Sequence, residues 1–265
     1  MIYIILLFLL ISVNILVFYY YNLHYINYLS YYLAYFPYYF SKKRNKIITE
    51  NLKTAFPKIN VSKINYIKFN TWKFFFINLL ICINQYLFGY SFLCKYYQID
   101  DKLTLPKKAL LALSHHGIYY DFINIHNLTS NSLCCIYKGN FQWNIKNKYI
   151  NLVQHKNLDL KLINKYHILA SPIDQKSRGI KLNFLNKEVT FNTFLVTYAK
   201  SDTRDIYFYN VVFQDFKLKV NLIKIEQKGK TVEEITRELA KNIETSIRKH
   251  PEQYLWTHDR FKIKG

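Results

Sequence analysis

Residues 2–21, IYIILLFLLISVNILVFYYY, run for twenty positions without one charged side chain. A stretch of that length crosses the hydrocarbon core of a bilayer as a helix. Its fourteen Ile, Leu, Val and Phe residues favour insertion by roughly 4 to 8 kcal/mol, more than Asn14 costs. No basic region precedes the run and no small-residue cleavage site follows it, which argues against a removable signal peptide. It closes on Tyr19, Tyr20 and Tyr21, an aromatic cluster of the kind that marks a membrane interface. Residues 1–22 are therefore expected to be a retained transmembrane anchor, with one domain over residues 23–265. The first charges beyond it are Lys42, Lys43, Arg44 and Lys46, which by the positive-inside rule keep that domain cytoplasmic. Between anchor and charges, Ile26 to Phe40 either lies in the interface as a second amphipathic stretch or packs on the domain.

The rest of the chain alternates between two periodicities. Lys43–Ala55, Ile64–Tyr86, Thr190–Lys200 and Val232–Lys249 read as helices by length and apolar spacing. The last carries a capping box, Thr231 with Glu234, and a stripe of Val232, Ile235, Leu239, Ile243 and Ile247. Ala109–Leu113 (ALLAL) is a continuous apolar run, the pattern of a strand buried on both faces. Further strands are expected at Leu133–Tyr137, Tyr166–Ala170, Ile180–Phe184, Ile206–Phe213 and Leu218–Ile225. Gly117–Leu128 suits a helix, so Ser114, His115 and His116 fall in a turn at a strand's C-terminal end, where open α/β sheets gather ligands. The fold class expected is α/β, a single domain with a largely parallel or mixed sheet flanked by helices.

The formal net charge is +20, from 37 Lys and Arg against 17 Asp and Glu. Such an excess favours a polyanionic partner, although part of it accompanies a composition crowded with Lys, Asn, Ile and Tyr. The basic residues are spread along the chain and no nucleic-acid motif is present, so a tethered nucleic-acid-binding protein is the weaker reading. Cys82, Cys94, Cys134 and Cys135 form no C-x-x-C pair and read as buried thiols in a reducing compartment. No metal-ligand cluster, Gly-rich phosphate loop or nucleotide fingerprint is visible, and no metal or cofactor is expected.

Four landmarks stand in order: Arg44–Pro57 (RNKIITENLKTAFP), His115–Asp121 (HHGIYYD), Asp174-Gln175, and the closing string Pro251–Lys262 (PEQYLWTHDRFK). Together they resemble the bacterial late acyltransferases of lipid A biosynthesis, over roughly residues 25 to 262. The second landmark contains an H-x4-D motif, His116 to Asp121, with Asp where the family more often has Glu. Gly two residues after the family's His favours His115 instead, and the arginine usual before Asp174 has no clear counterpart, Lys146 or Lys148 being the nearest candidates. The resemblance implies an inner-membrane O-acyltransferase that moves an acyl chain from an acyl carrier protein thioester to a hydroxyl of an anionic glycolipid. A lysophosphatidate or other glycolipid acyltransferase of the same superfamily is the nearest alternative, and a silent relative that only binds lipid a further one.

Acyl transfer to a hydroxyl needs a base, a group that orients it, and donors for the developing oxyanion. Histidine titrates near neutrality and suits the first role; a carboxylate suits the second. His116 and Asp121 are the expected pair, since that spacing sets the distance between them. Five steps along a helix turn about 500°, so they meet only if His116 precedes the helix. Lys138, Asp174, Gln175, Arg178, Arg260 and Lys262 are the expected substrate-binding residues, the basic ones for phosphates or the carrier. Trp256 and His258 are expected to brace the site.

Overall fold

A computed structural model of the chain describes residue 12 and residues 23–88, 95–99, 107–118, 125, 132–137, 150–154, 159–174, 179–202 and 204–261. The predicted anchor (residue 12 apart), Cys94 and most of the helix expected at Gly117–Leu128 lie outside these. Among residues 23–88 there are three helices: α1 (residues 23–40), α2 (Lys42–Ala55) and α3 (Val61–Phe88). The spacing of Ile48, Asn51, Leu52 and Ala55 gives α2 one buried face, as an amphipathic helix requires.

Nine strands follow among the described residues. Seven form one sheet in the order β1-β9-β8-β2-β5-β3-β4, made of β1 (Tyr97–Gln98), β2 (Ala109–Leu113), β3 (Leu133–Tyr137), β4 (Ile150–Gln154), β5 (Ile168–Pro172), β8 (Ile206–Gln214) and β9 (Lys217–Ile225). Strands β8, β2, β5, β3 and β4 are parallel, while β9 runs antiparallel to β8. This is the mixed, mostly parallel α/β sheet expected. The short helix α4 (Leu160–Ile163) leads into β5.

Strand β2 is buried at all five positions. Leu110 and Ala112 point into one apolar core and Ala109, Leu111 and Leu113 into a second on the other face, which is why the run shows no polar alternation. Helix α3 joins the two layers: Ile64, Ile67 and Trp72 pack in the first core, Phe74, Ile77 and Ile81 in the second. It is the one described helix long and apolar enough to cross a membrane, yet its buried side chains serve the domain's own cores.

The stretch Thr190–Lys200, expected to be one helix, is divided. Strand β7 (Lys187–Asn192) pairs with β6 (Gly179–Phe184) as a separate antiparallel hairpin, and α5 is only Phe194–Ala199. Val189 and Phe191 alternate inward, and Leu185 and Asn186 both have positive φ, the backbone a two-residue hairpin turn demands. Tertiary burial of that alternation overrides the helical spacing. Strands β1 and β4 were not expected either. Helix α6 (Val232–Lys249) matches its expected bounds; its capping box is formed, and Ile235, Leu239, Ile243 and Ile247 are buried. Cys82, Cys134 and Cys135 are free and buried, and burial pushes the Cys134 thiol up to about 12.

Candidate functional site

Strands β2 and β5 are parallel with Leu113 opposite Pro172. Two residues beyond each partner stand His115 and Asp174, so the register itself brings them together. The His115 Nδ1–H donates to Asp174 Oδ1 at 2.7 Å, and the His115 backbone N–H donates to Oδ2 at 2.9 Å. One buried carboxylate thus fixes both the main chain and the ring of one histidine. Burial by itself would lower the His115 pKa, but the adjacent Asp174 charge and hydrogen bond outweigh it and raise it. Burial would likewise raise the Asp174 pKa, and the His115 contacts bring it below the usual carboxylate range instead. The pair therefore favours an imidazolium–carboxylate state more than an isolated histidine would.

His116 points the other way. It is 1% exposed; its Nε2–H donates to the His250 carbonyl at 3.0 Å, and its Nδ1 accepts from Asn210 Nδ2 at 3.1 Å. Ser246 Oγ lies 3.2 Å from the same Nδ1. Burial first of all lowers its pKa, to about 4. Both ring nitrogens are used, and the ring is neutral at physiological pH. His116 ties β2's end to β8 and to the end of α6.

Gly117 completes the turn. Its φ is +74°, and a Cβ there would lie 2.0 Å from the Val211 carbonyl oxygen. Only glycine fits so near another backbone.

The closing string of the sequence wraps this turn. Pro251–Gln253 form one 3-10 turn, after which Tyr254 bridges His116 in antiparallel fashion. The Gly117 N–H donates to the Gln253 carbonyl at 3.0 Å and the Leu255 N–H to the His115 carbonyl at 3.1 Å. The Gln253 amide satisfies both backbone groups of Phe213, at 2.7 and 3.1 Å. Trp256 is fully buried, its indole N–H donating to the Pro251 carbonyl at 2.6 Å.

The N-terminal landmark docks onto the same string. Asn51 Nδ2 donates to the carbonyls of Trp256 and His258, each at 2.9 Å, and Arg44 donates to the Thr257 carbonyl at 3.1 Å. The Phe56 and Trp256 rings meet edge to face at 6.1 Å. Trp256 braces the site as expected; His258 contributes its backbone while its side chain is exposed.

Arg260 ends the wrap. It is 6% exposed, its guanidinium sits 5.0 Å over the Phe191 ring, and its Nε and Nη2 have no hydrogen-bond partner among the described residues. Its charge acts on both His115 and Asp174, and the Tyr254 hydroxyl interacts with Asp174 and Arg260 alike. Ser114 Oγ is also buried without a partner among the described residues. A buried guanidinium with unused donors, beside a histidine–carboxylate pair, can hold an anion or a developing oxyanion.

Of the residues expected at the site, the fold brings Asp174 and Arg260 to His115. Asp121, Lys138, Gln175, Arg178 and Lys262 lie outside the described residues. The pairing of His115 with Asp174 escaped sequence reading because the partners are 59 positions apart; the signal was the equal offset from two adjacent strands.

No curated protein matches the chain. Residues 177–263, from the β6–β7 hairpin through the closing string, match a family model described as bacterial lipid A biosynthesis acyltransferase. That match covers the segments that wrap His115 and supply Arg260, and it supports the likeness of this chain to the bacterial lipid A biosynthesis acyltransferases.

Proposed function

We propose that this protein transfers a fatty acyl chain from an acyl carrier protein thioester to a hydroxyl of a lipid A precursor. It works at the bacterial inner membrane, anchored by residues 1–22, with the domain of residues 23–265 on the cytoplasmic side. The observation that carries the reading is the His115–Asp174 pair beside the buried, unpartnered donors of Arg260. The geometry favours His115 as the base over His116, the residue that the H-x4-D spacing to Asp121 favours. The ring nitrogens of His116 are spent on His250 and Asn210.

With Nδ1 committed to Asp174, His115 takes the acceptor's hydroxyl proton at Nε2. The hydroxyl oxygen bonds to the thioester carbonyl carbon, and the carbonyl oxygen becomes an oxyanion. Collapse breaks the carbon–sulfur bond, and the departing carrier thiolate recovers the proton from Nε2. An ester and a thiol replace the hydroxyl and the thioester. Asp174 holds the tautomer and stabilises the imidazolium, as the carboxylate does in a serine-hydrolase triad. Arg260 binds an anionic group of the acceptor, and Lys138, Gln175, Arg178 and Lys262 are further contacts to acceptor or carrier. A basic enzyme suits both an acidic carrier and a phosphorylated glycolipid.

The test uses detergent-purified full chain, acyl carrier thioesters of several lengths and a tetra-acylated lipid A precursor, read by mass spectrometry. One added acyl mass is expected, lost in His115→Ala. Transfer to lysophosphatidate alone would overturn the acceptor assignment.

A further inference from the structure

Helix α1 buries one side and bares the other. Leu23, Ile26, Ser30 and Ala34 are fully buried, whereas Tyr28, Tyr32, Phe36 and Phe40 are 53 to 72% exposed. The second set recurs every fourth residue, so it forms one stripe about 18 Å long on a helix rising 1.5 Å per residue. Tyr39, at 64% exposure, widens it. A soluble domain rarely leaves so large a contiguous aromatic face uncovered.

The position of this helix matters as much as its composition. At its start, the His24 ring stacks on Phe216 at 3.8 Å. Phe216 sits in the β8–β9 turn with φ of +55°, a conformation that bulky side chains avoid. Because β8 is parallel to β2, that turn projects from the same sheet edge as His115. Just past the end of the helix, Arg44 holds Thr257, which belongs to the string wrapping His115. Both ends of α1 are therefore fixed at the edge of the sheet that carries the site.

We propose that α1 lies flat in the interfacial layer of a bilayer, aromatic stripe inward, so that the His115 edge of the sheet faces the membrane. Three observations select lipid as the occupant. The uncharged run of residues 2–21 ends directly before this helix. Tyr and Phe are the side chains suited to the headgroup boundary. Exposed Lys42, Lys43 and Lys46 follow at the helix's other end, where anionic headgroups attract them. Beneath the stripe, an open groove of about 470 Å³ between Tyr28, Tyr31, Phe216 and Lys73 offers room for one headgroup. The arrangement does not depend on which reaction the site performs, and it lets an acceptor reach His115 without leaving its leaflet.

The test reconstitutes the full chain, with Cys94→Ser, in vesicles of phosphatidylcholine and phosphatidylglycerol. Spin labels are placed at Phe36→Cys, Tyr32→Cys and, on the opposite sheet edge after β9, Lys228→Cys. Collisional relaxation by oxygen relative to a water-soluble nickel complex is expected to be several-fold higher at 32 and 36 than at 228. Equal ratios at all three sites would overturn the proposal. So would dipolar broadening between labels at position 36, which would assign the stripe to a second copy of the chain.

Discussion

Asp174 grips His115 twice, accepting from its backbone N–H at 2.9 Å and from its ring at 2.7 Å. The carboxylate fixes the orientation and the basicity of the imidazole together. Neither effect follows from sequence spacing; both follow from two parallel strands ending in step.

The first prediction concerns pH. A base must be neutral to act, so activity rises as pH passes the His115 pKa, which Asp174 raises above the ordinary value. In Asp174→Asn the raising charge is gone while burial remains. The rising limb of the kcat/KM profile should move to lower pH, and its plateau should fall by about 10²- to 10⁴-fold. A limb that stays in place would remove His115 from the role of base.

The two adjacent histidines should separate cleanly. His115→Ala loses turnover by about 10²- to 10⁴-fold, far beyond the stability it forfeits by leaving buried Asp174 Oδ1 without its ring donor. His116→Ala leaves Asn210 Nδ2 and the His250 carbonyl with a lost partner, at a cost of about 1–3 kcal/mol. Urea unfolding read beside activity per folded molecule distinguishes them.

How much of this was visible in the chain differs by element. The cap of α6 and the doubly buried β2 are local patterns, and each stood where expected. Phe191 misleads because it also begins a helical spacing with Phe194, Leu195 and Tyr198; its inward alternation with Val189 is too short to outweigh that run, and only pairing with β6 decides it. At the site, Asp174 and Arg260 drew attention by chemistry and resemblance, but their meeting with His115 depends on strand order. His116 shows the limit of a motif read by spacing, since burial and the His250 carbonyl define its part.

Gly117 should tolerate no side chain. Gly117→Ala places a Cβ 2.0 Å from the Val211 oxygen at a φ of +74°, so backbone must shift. A loss of about 2–4 kcal/mol is expected, more than the 1–3 kcal/mol of an unfavourable φ alone. Because Gly117 also bonds Gln253, activity should fall with stability, and denaturant titration measures the loss of stability.

Asn51 joins the first landmark to the last. Asn51→Leu keeps the volume but strands the carbonyls of Trp256 and His258, which one amide now serves. A destabilisation of about 1–3 kcal/mol follows from one buried and one part-buried acceptor losing their donor. Limited proteolysis should cut the closing string of the variant sooner than that of the parent.

Arg260 provides the sharpest contrast between stability and function. Its guanidinium is buried with two nitrogens unpartnered, which disfavours the folded state unless an anion completes it. Arg260→Met removes that charge and keeps most of the contact with Phe191. Two buried donors are relieved, but the charge that steadies buried Asp174 is lost as well, so the opposing effects should leave stability within about 1 kcal/mol of the parent. The same change should raise the KM for the acceptor by about tenfold or more, the equivalent of one charged hydrogen bond. Arg260 also lowers the His115 pKa, so its loss should move the rising limb to higher pH, opposite in sign to Asp174→Asn. A purely structural Arg260 would instead give a less stable variant with an unchanged KM for the acceptor, and thermal unfolding with one KM series separates the two.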